Sequence, residues 1–223
     1  MTETIDVKQR ILAANEAAAQ LLRGRTEATG TLVTNLISSP GSGKTTLLEA
    51  TVRTLASRLR VAVIEGDIAT ERDAERLRAL GVPAHQILTG GACHLDARQV
   101  DAALQVAAFP PVDLLFIENV GNLICPTSYD LGEDFKVVLL SVTEGEDKPF
   151  KYPAIFAKAA VTVITKSDLL PHVTFDLDAV RRQVASLNPE GRLLVTSARS
   201  GDGIGDWCRL LEERLAAKRS ART

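Results

Sequence analysis

Nine consecutive residues constrain this chain more than any others: Ser38-Ser39-Pro40-Gly41-Ser42-Gly43-Lys44-Thr45-Thr46. An apolar run from Leu32 to Ile37 precedes them and reads as a buried strand. Leu47-Leu48-Glu49-Ala50 follows and reads as the start of a helix. A strand, a glycine-bearing turn ending in Gly-Lys-Thr, and a helix form the setting of a phosphate-binding loop. Backbone N–H groups and the positive end of the helix there converge on one anion site. Gly41, Ser42, Gly43, Lys44, Thr45 and Thr46 are therefore expected to contact a nucleotide. Lys44 would reach the β/γ-phosphates and Thr45 would hold Mg²⁺. Ser38 stands where the full motif has its first glycine.

The rest of the chain fits a parallel α/β domain. Strand-like runs fall at 32–37, 61–64, 114–117, 137–142, 161–164 and 193–195, and helix-like runs at 45–58, 71–80, 95–107, 177–187 and 204–217. Near-continuous apolar strands between amphipathic helices imply a mostly parallel sheet covered on both faces. Ligands of such sheets sit beyond the carboxyl ends of the strands. Residues 6–22 show helical periodicity before the first strand, with Arg23-Gly24-Arg25-Thr26 as the expected exit. The expected division is a helical extension over 1–30, a nucleotide-binding domain over 31–215 and a disordered tail over 216–223.

Composition narrows the function. The chain has 223 residues, 26 basic and 28 acidic, and no basic stripe, which argues against a nucleic-acid partner. It has no apolar run of membrane-spanning length and no signal peptide, so a soluble, cytoplasmic protein is expected. Its three cysteines are Cys93, Cys125 and Cys208, too few and odd in number for a disulfide framework.

Acidic residues at strand ends extend the nucleotide reading. Asp113 to Glu118 reads as a buried strand ending in a carboxylate beside the phosphate loop. Glu118 and Asp67 are candidates to hold Mg²⁺ or to orient the attacking water, without a division of roles between them. Gly121 lies where backbone can approach a γ-phosphate. After the run Val161 to Ile164 comes Thr165-Lys166-Ser167-Asp168, in the place of the Asn-Lys-x-Asp signature of guanine-nucleotide proteins. Asp168 would accept from the guanine ring and Lys166 would cover the base. Ser197 and Ala198, also past a strand, match the loop that contacts guanine O6. GTP is thus favoured over ATP.

Cys93 and His94 follow a glycine pair, and Cys125 lies in the segment that begins at Glu118. Two thiols and an imidazole suit Ni²⁺ or Zn²⁺ rather than Mg²⁺. The alternative is two ordinary cysteines and a loop histidine. One chain supplies only three such donors, so two chains meeting at this face could share a site.

These residues together resemble the hydrogenase nickel-incorporation GTPases, the HypB family of the dimerising signal-recognition-and-metal class. The carriers are Ile11 to Asn15, Ser38 to Thr46, Gly66-Asp67, Gly91 to Leu95, Glu118 to Pro126, Ser141 to Pro149 and Lys151-Tyr152-Pro153. The resemblance implies a homodimer favoured by GTP, nickel delivery to the hydrogenase large-subunit precursor, and the metallochaperone HypA as partner. It also implies a metal site at Cys93, His94 and Cys125 near the dimer interface. Lys148 and Lys151 are candidate cross-dimer charges. Many members carry an N-terminal Cys-x-x-Cys-Gly-Cys motif or a histidine-rich stretch; Met1 to Asp6 contains neither. Rival readings are the urease-type nickel GTPase, a small-molecule P-loop kinase and a non-enzymatic metal carrier.

Overall fold

The computed structural model describes residues 7–68 and 71–222. The first residue of the expected N-terminal helix and the last of the expected tail lie outside that range. Among the described residues, seven strands, β1 (Leu32–Ser38), β2 (Val61–Asp67), β3 (Ala84–Leu88), β4 (Leu114–Glu118), β5 (Phe135–Ser141), β6 (Val161–Thr165) and β7 (Arg192–Val195), form one sheet in the order β3-β2-β4-β1-β5-β6-β7. Every pairing is parallel. β1, β4 and β6 are buried along their whole length, which is why they read as unbroken apolar runs.

Helices cover both faces. On one, α2 (Lys44–Leu55) and α8 (Ile204–Ser220) bury Leu48, Leu55, Trp207 and Leu211 against Leu36, Phe116 and Leu139. The Trp207 indole is fully buried, and its N–H donates to Thr51 Oγ1 at 2.9 Å. Burying a side chain of this size contributes on the order of 3 kcal/mol if its polar atom is satisfied. On the other face, α1 (Val7–Thr29) and α4 (Ala97–Ala107) cover β2 and β4, while α6 (Pro153–Lys158) and α7 (Leu177–Leu187) cover β5 and β6. The short helix α3 (Arg72–Arg78) buries Leu77 in the core beside α2, and α5 (Lys148–Lys151) packs against α6 and α7.

Three expectations are corrected. The first helix does not exit at Arg23-Gly24; it continues to Thr29 and ends at Gly30, whose φ is +68°. Gly24 costs the helix about 1 kcal/mol relative to alanine, but Ala19 and Leu22 pack into the same core cluster as Val100 and Ala103 of α4 and hold the turn in place. Within the segment expected as a tail, the described residues 216–222 are ordered. α8 runs to Ser220, and Lys218 pairs with Asp134 at 2.7 Å and Arg219 with Asp113 at 2.6 Å. β3, α5 and α6 add elements that hydrophobic runs did not announce.

β1 lies where the connections reverse direction, β2 and β3 being added on one side and β5 to β7 on the other. Such a point opens a crevice at the carboxyl ends of the strands. The phosphate loop leaves β1 there.

Candidate functional site

The loop between β1 and α2 is built from its glycines and from small side chains. Gly41 and Gly43 have φ of +76° and +91°, conformations that glycine adopts without strain. Ser38 explains why the motif tolerates a non-glycine first residue: it is fully buried at the end of β1, and its Oγ receives the Lys44 ammonium at 3.1 Å. Lys44 is thereby parked toward the phosphate cavity. The Ser42 hydroxyl is shared between the Ser39 carbonyl and Glu144, which braces the loop from the end of β5. Gly121 closes the crevice from the other side. A Cβ there would lie 2.9 Å from the backbone nitrogen of Pro40, so this glycine permits the close approach of loop to loop. Gly66 is similarly constrained, since a Cβ would meet Leu95 at 2.8 Å.

A cavity of about 430 Å³ lies over this loop, lined by Gly41, Gly43, Lys44, Thr45, Thr46, Asp67, Glu118, Gly121 and Lys166. Thr45 Oγ1 donates to Glu118 Oε1 at 2.9 Å. The second oxygen of Glu118 is buried and has no hydrogen-bond partner among the described residues. Burial pushes its carboxyl up to about 7, although Lys44 and Thr45 pull the other way. A hydroxyl beside a buried, half-satisfied carboxylate is a donor pair that fits a hard divalent cation.

Sequence reasoning missed two acids here. Glu65 pairs in register with Glu118 across β2 and β4, and Glu65, Asp67 and Asp73 bring ligand oxygens within 4.8 Å of one another. Burial and the neighbouring Glu118 charge push the Glu65 carboxyl up to about 8. The available signal was a charged residue inside the otherwise apolar run Val61 to Ile64 and Gly66.

A second cavity of about 240 Å³ adjoins the first, lined by Thr46, Thr165, Lys166, Asp168, Ser197, Ala198 and Arg199. Asp168 accepts from the Ser197 hydroxyl at 2.6 Å, which joins the two loops matched to base selection. Lys166 adopts a left-handed backbone (φ +58°) and its ammonium reaches the Gly41 carbonyl at 2.8 Å. Thr165 occupies the place of the usual asparagine. Its hydroxyl donates to the Ser42 carbonyl at 2.7 Å and so ties the base loop to the phosphate loop.

Cys93, His94 and Cys125 come together although two separate segments carry them. Their ligand atoms lie within 4.8 Å of one another, with Cys93 Sγ 3.5 Å from His94 Nδ1. The hydrogen bond to Cys125 raises the Cys93 thiol, and burial lowers the His94 imidazole, which favours the neutral, metal-binding ring. His94 also meets the Tyr129 ring at 3.9 Å between centroids. Asn122 donates to the Cys93 carbonyl at 3.2 Å. Asn119, the residue after Glu118, accepts from the backbone N–H of Leu95 at 3.2 Å. The Glu118 segment thus holds the loop that follows His94. Cys208 is buried in the core of α8 and takes no part.

Lys148 is engaged within its own chain. It reaches Ser39 Oγ at 3.4 Å and Glu144 at 3.9 Å and lies 5.6 Å over the Tyr152 ring. Lys151 pairs with Asp147 on the surface.

Residues 32–195 match the family described as "CobW/HypB/UreG, nucleotide-binding domain". The hydrogenase maturation factor HypB of Azotobacter vinelandii is 50% identical over 216 residues, which is 97% of this chain and 71% of that protein. HypB from Helicobacter pylori, solved in complex with nickel, superposes with a TM-score of 0.87 at 40% identity, covering 94% of this chain and 97% of that one. The hydrogenase maturation factor HypB from Archaeoglobus fulgidus superposes with a TM-score of 0.85 at 37% identity, over 91% of this chain and 99% of that one.

Proposed function

We propose, from the premise that this chain belongs to the HypB family of hydrogenase maturation factors, that it is a Mg²⁺-dependent GTPase coupling nucleotide state to nickel handling. Lys44 and the loop N–H groups would bind the β/γ-phosphates and stabilise charge as the phosphoryl group transfers. Thr45 and Glu118 would hold Mg²⁺, which supplies charge neutralisation there, with Asp67 beside them to hold the cation or orient water. Asp168 would accept from the guanine ring, with Ser197 fixing its carboxylate and Ala198 lining the base.

Cys93, His94 and Cys125 would bind Ni²⁺, the metal named for the Helicobacter relative, or Zn²⁺. Three donors leave room for a further ligand from a second copy. A homodimer favoured by GTP, with Lys148 or Lys151 crossing the interface, fits that need. HypA and the hydrogenase large-subunit precursor are the proposed partners, in the cytoplasm.

The observation that carries the reading is the segment from Glu118 to Cys125. One end lines the phosphate cavity and the other completes the sulfur–imidazole cluster. The test is phosphate release with GTP together with nickel stoichiometry. Lys44→Ala should release none, and Cys125→Ala should lose the nickel bound at this face. Steady turnover by Lys44→Ala would sink the enzymatic half. Deleting residues 1–6 should leave the stoichiometry unchanged.

A further inference from the structure

The stretch Ile11 to Asn15 has no role in the chemistry above, yet Asn15 is only 3% exposed on a helix that lies outside the sheet. Both ends of its amide are committed. Oδ1 accepts from the backbone N–H of Ala97 at 2.8 Å, in the first turn of α4. Nδ2 donates to the backbone carbonyl of Asp130 at 2.7 Å.

These two partners lie just past the segments that carry Cys93-His94 and Cys125. Ala97 follows Cys93-His94 through Leu95 and Asp96, and Asp96 caps α4 by accepting from Gln99 N at 2.8 Å. Asp130 follows Cys125 through the 3₁₀ turn Cys125–Ser128. One buried amide therefore spans the segment carrying Cys93 and His94 and the segment carrying Cys125. The same helix makes a second tie, from Arg23 to Asp130 at 2.7 Å.

We propose that Asn15 is a positioning residue for the Cys93/His94/Cys125 metal site, so that α1 is part of the site's framework. The inference rests on the reading that these three side chains bind metal. Metal–ligand bonds tolerate errors of only about 0.2 Å. Two loops converging on one ion must therefore be held at a fixed separation before it arrives, or be ordered at the moment of binding. A neutral amide suits this place because it accepts from one loop and donates to the other. A carboxylate can do only the first.

The test is Ni²⁺ titration of the GDP-bound protein, following thiolate-to-nickel charge-transfer absorption, for the parent, Asn15→Ala, Asn15→Asp and Cys125→Ala. Thermal unfolding without metal checks the fold. Asn15→Ala should weaken nickel by about 10–100-fold, the usual effect of removing a group that orients a ligand, and should shift the charge-transfer band. Asn15→Asp should also bind more weakly than the parent, since the Asp130 carbonyl then faces an acceptor. Parental affinity and band in both variants would overturn the proposal even if their unfolding temperatures fall. So would failure of both variants to fold, which would make Asn15 a general structural residue. If only the alanine variant fails to fold, the aspartate variant decides. Parental nickel binding by Cys125→Ala would instead remove the metal reading itself; loss there with parental Asn15 variants would remove only the present inference.

Discussion

Two carboxylates bracket β4 and live in opposite circumstances. Asp113, at the amino end, accepts from the Arg60 backbone N–H at 2.8 Å, from its guanidinium at 2.9 and 3.0 Å, and from Arg219 at 2.6 Å. These bonds, with Arg60 first, hold its carboxyl well below the usual carboxylate range. Glu118, at the carboxyl end, is buried more deeply, and one of its oxygens finds no partner among the described residues. Burial pushes it up to about 7. The amino edge of the sheet uses its charges to close the fold, Asp134 with Lys218 included. The carboxyl edge leaves buried oxygens open. Since buried polar groups in folded proteins are nearly all paired, an open one at a strand end marks where the fold expects something from outside. Partnered and open carboxylate oxygens are thus separated along a single strand.

The largest expected effect breaks that comparison at its functional end. Glu118→Gln keeps an acceptor for Thr45 and removes the charge that is proposed to hold a cation. GTP turnover should fall by about 10²–10³-fold, the usual cost of one preorganised electrostatic group. Thermal stability without nucleotide should be unchanged or raised, because a costly buried charge is gone. A fall in stability with unchanged turnover would show that Glu118 belongs with Asp113.

Asp168 sharpens the comparison, being a site carboxylate that is already partnered, by Ser197 at 2.6 Å. Asp168→Asn should weaken GTP by about 2–4 kcal/mol, as expected for truncating a charged hydrogen-bond partner. It should improve xanthosine triphosphate, whose extra carbonyl accepts from an amide. Competitive binding of the two nucleotides measures both. Equal GTP affinity in parent and variant would move base selection elsewhere.

Asp113→Asn should do the reverse of Glu118→Gln. Loss of charge-assisted hydrogen bonds should cost about 1–3 kcal/mol in urea unfolding, with GTP turnover unchanged. The pH dependence has a definite sign. The folded carboxyl titrates below its unfolded value of about 3.9, so on acidification the unfolded chain takes up the proton first. The stabilisation is fully present above about pH 4 and is lost as pH falls through the folded value. Asp113→Asn should flatten that part of the acid-unfolding curve. An unchanged curve would mean that Arg60 and Arg219 serve Asp113 only loosely.

The two ends of β4 were not equally legible beforehand. The phosphate loop could be read because its chemistry is local: consecutive residues, an apolar strand before them and a helix after. Glu118 was visible as an acid closing an apolar run. Glu65 was not, because its importance comes from the cross-strand register that sets it beside Glu118. β3 escaped because it is an edge strand, half exposed and carrying His85 and Gln86, so no continuous apolar run marks it. The length of α1 escaped because Gly24 reads as a stop, while packing against α4 overrides it. The grouping of Cys93, His94 and Cys125 was read from chemistry and placement; the amides that hold it, Asn15 and Asn119, act over separations that spacing rules do not reach.

The smallest predicted effect tests whether the open end of β4 communicates with the Cys93/His94/Cys125 cluster. Asn119 is the first residue beyond Glu118, and it is buried. Its Oδ1 accepts from Leu95 N at 3.2 Å and Val120 N at 3.0 Å, and its Nδ2 donates to Asn35 on β1 at 3.3 Å. A shift of the Glu118–Gly121 segment between GTP and GDP forms would therefore pull on the loop that ends in Cys93-His94-Leu95. By linkage, nucleotide and metal must then change each other's affinity by the same factor. In the parent, nickel affinity should differ about tenfold between the GTP-analogue and GDP forms, or about 1.4 kcal/mol. In Asn119→Ala that difference should shrink, while Asp113→Asn, at the closed end of the same strand, should leave it intact. Nickel titrations in both nucleotide states measure the difference directly. If Asn119→Ala keeps the full tenfold difference, the coupling travels by another route, with the contact from Asn122 to the Cys93 carbonyl at 3.2 Å the next to remove.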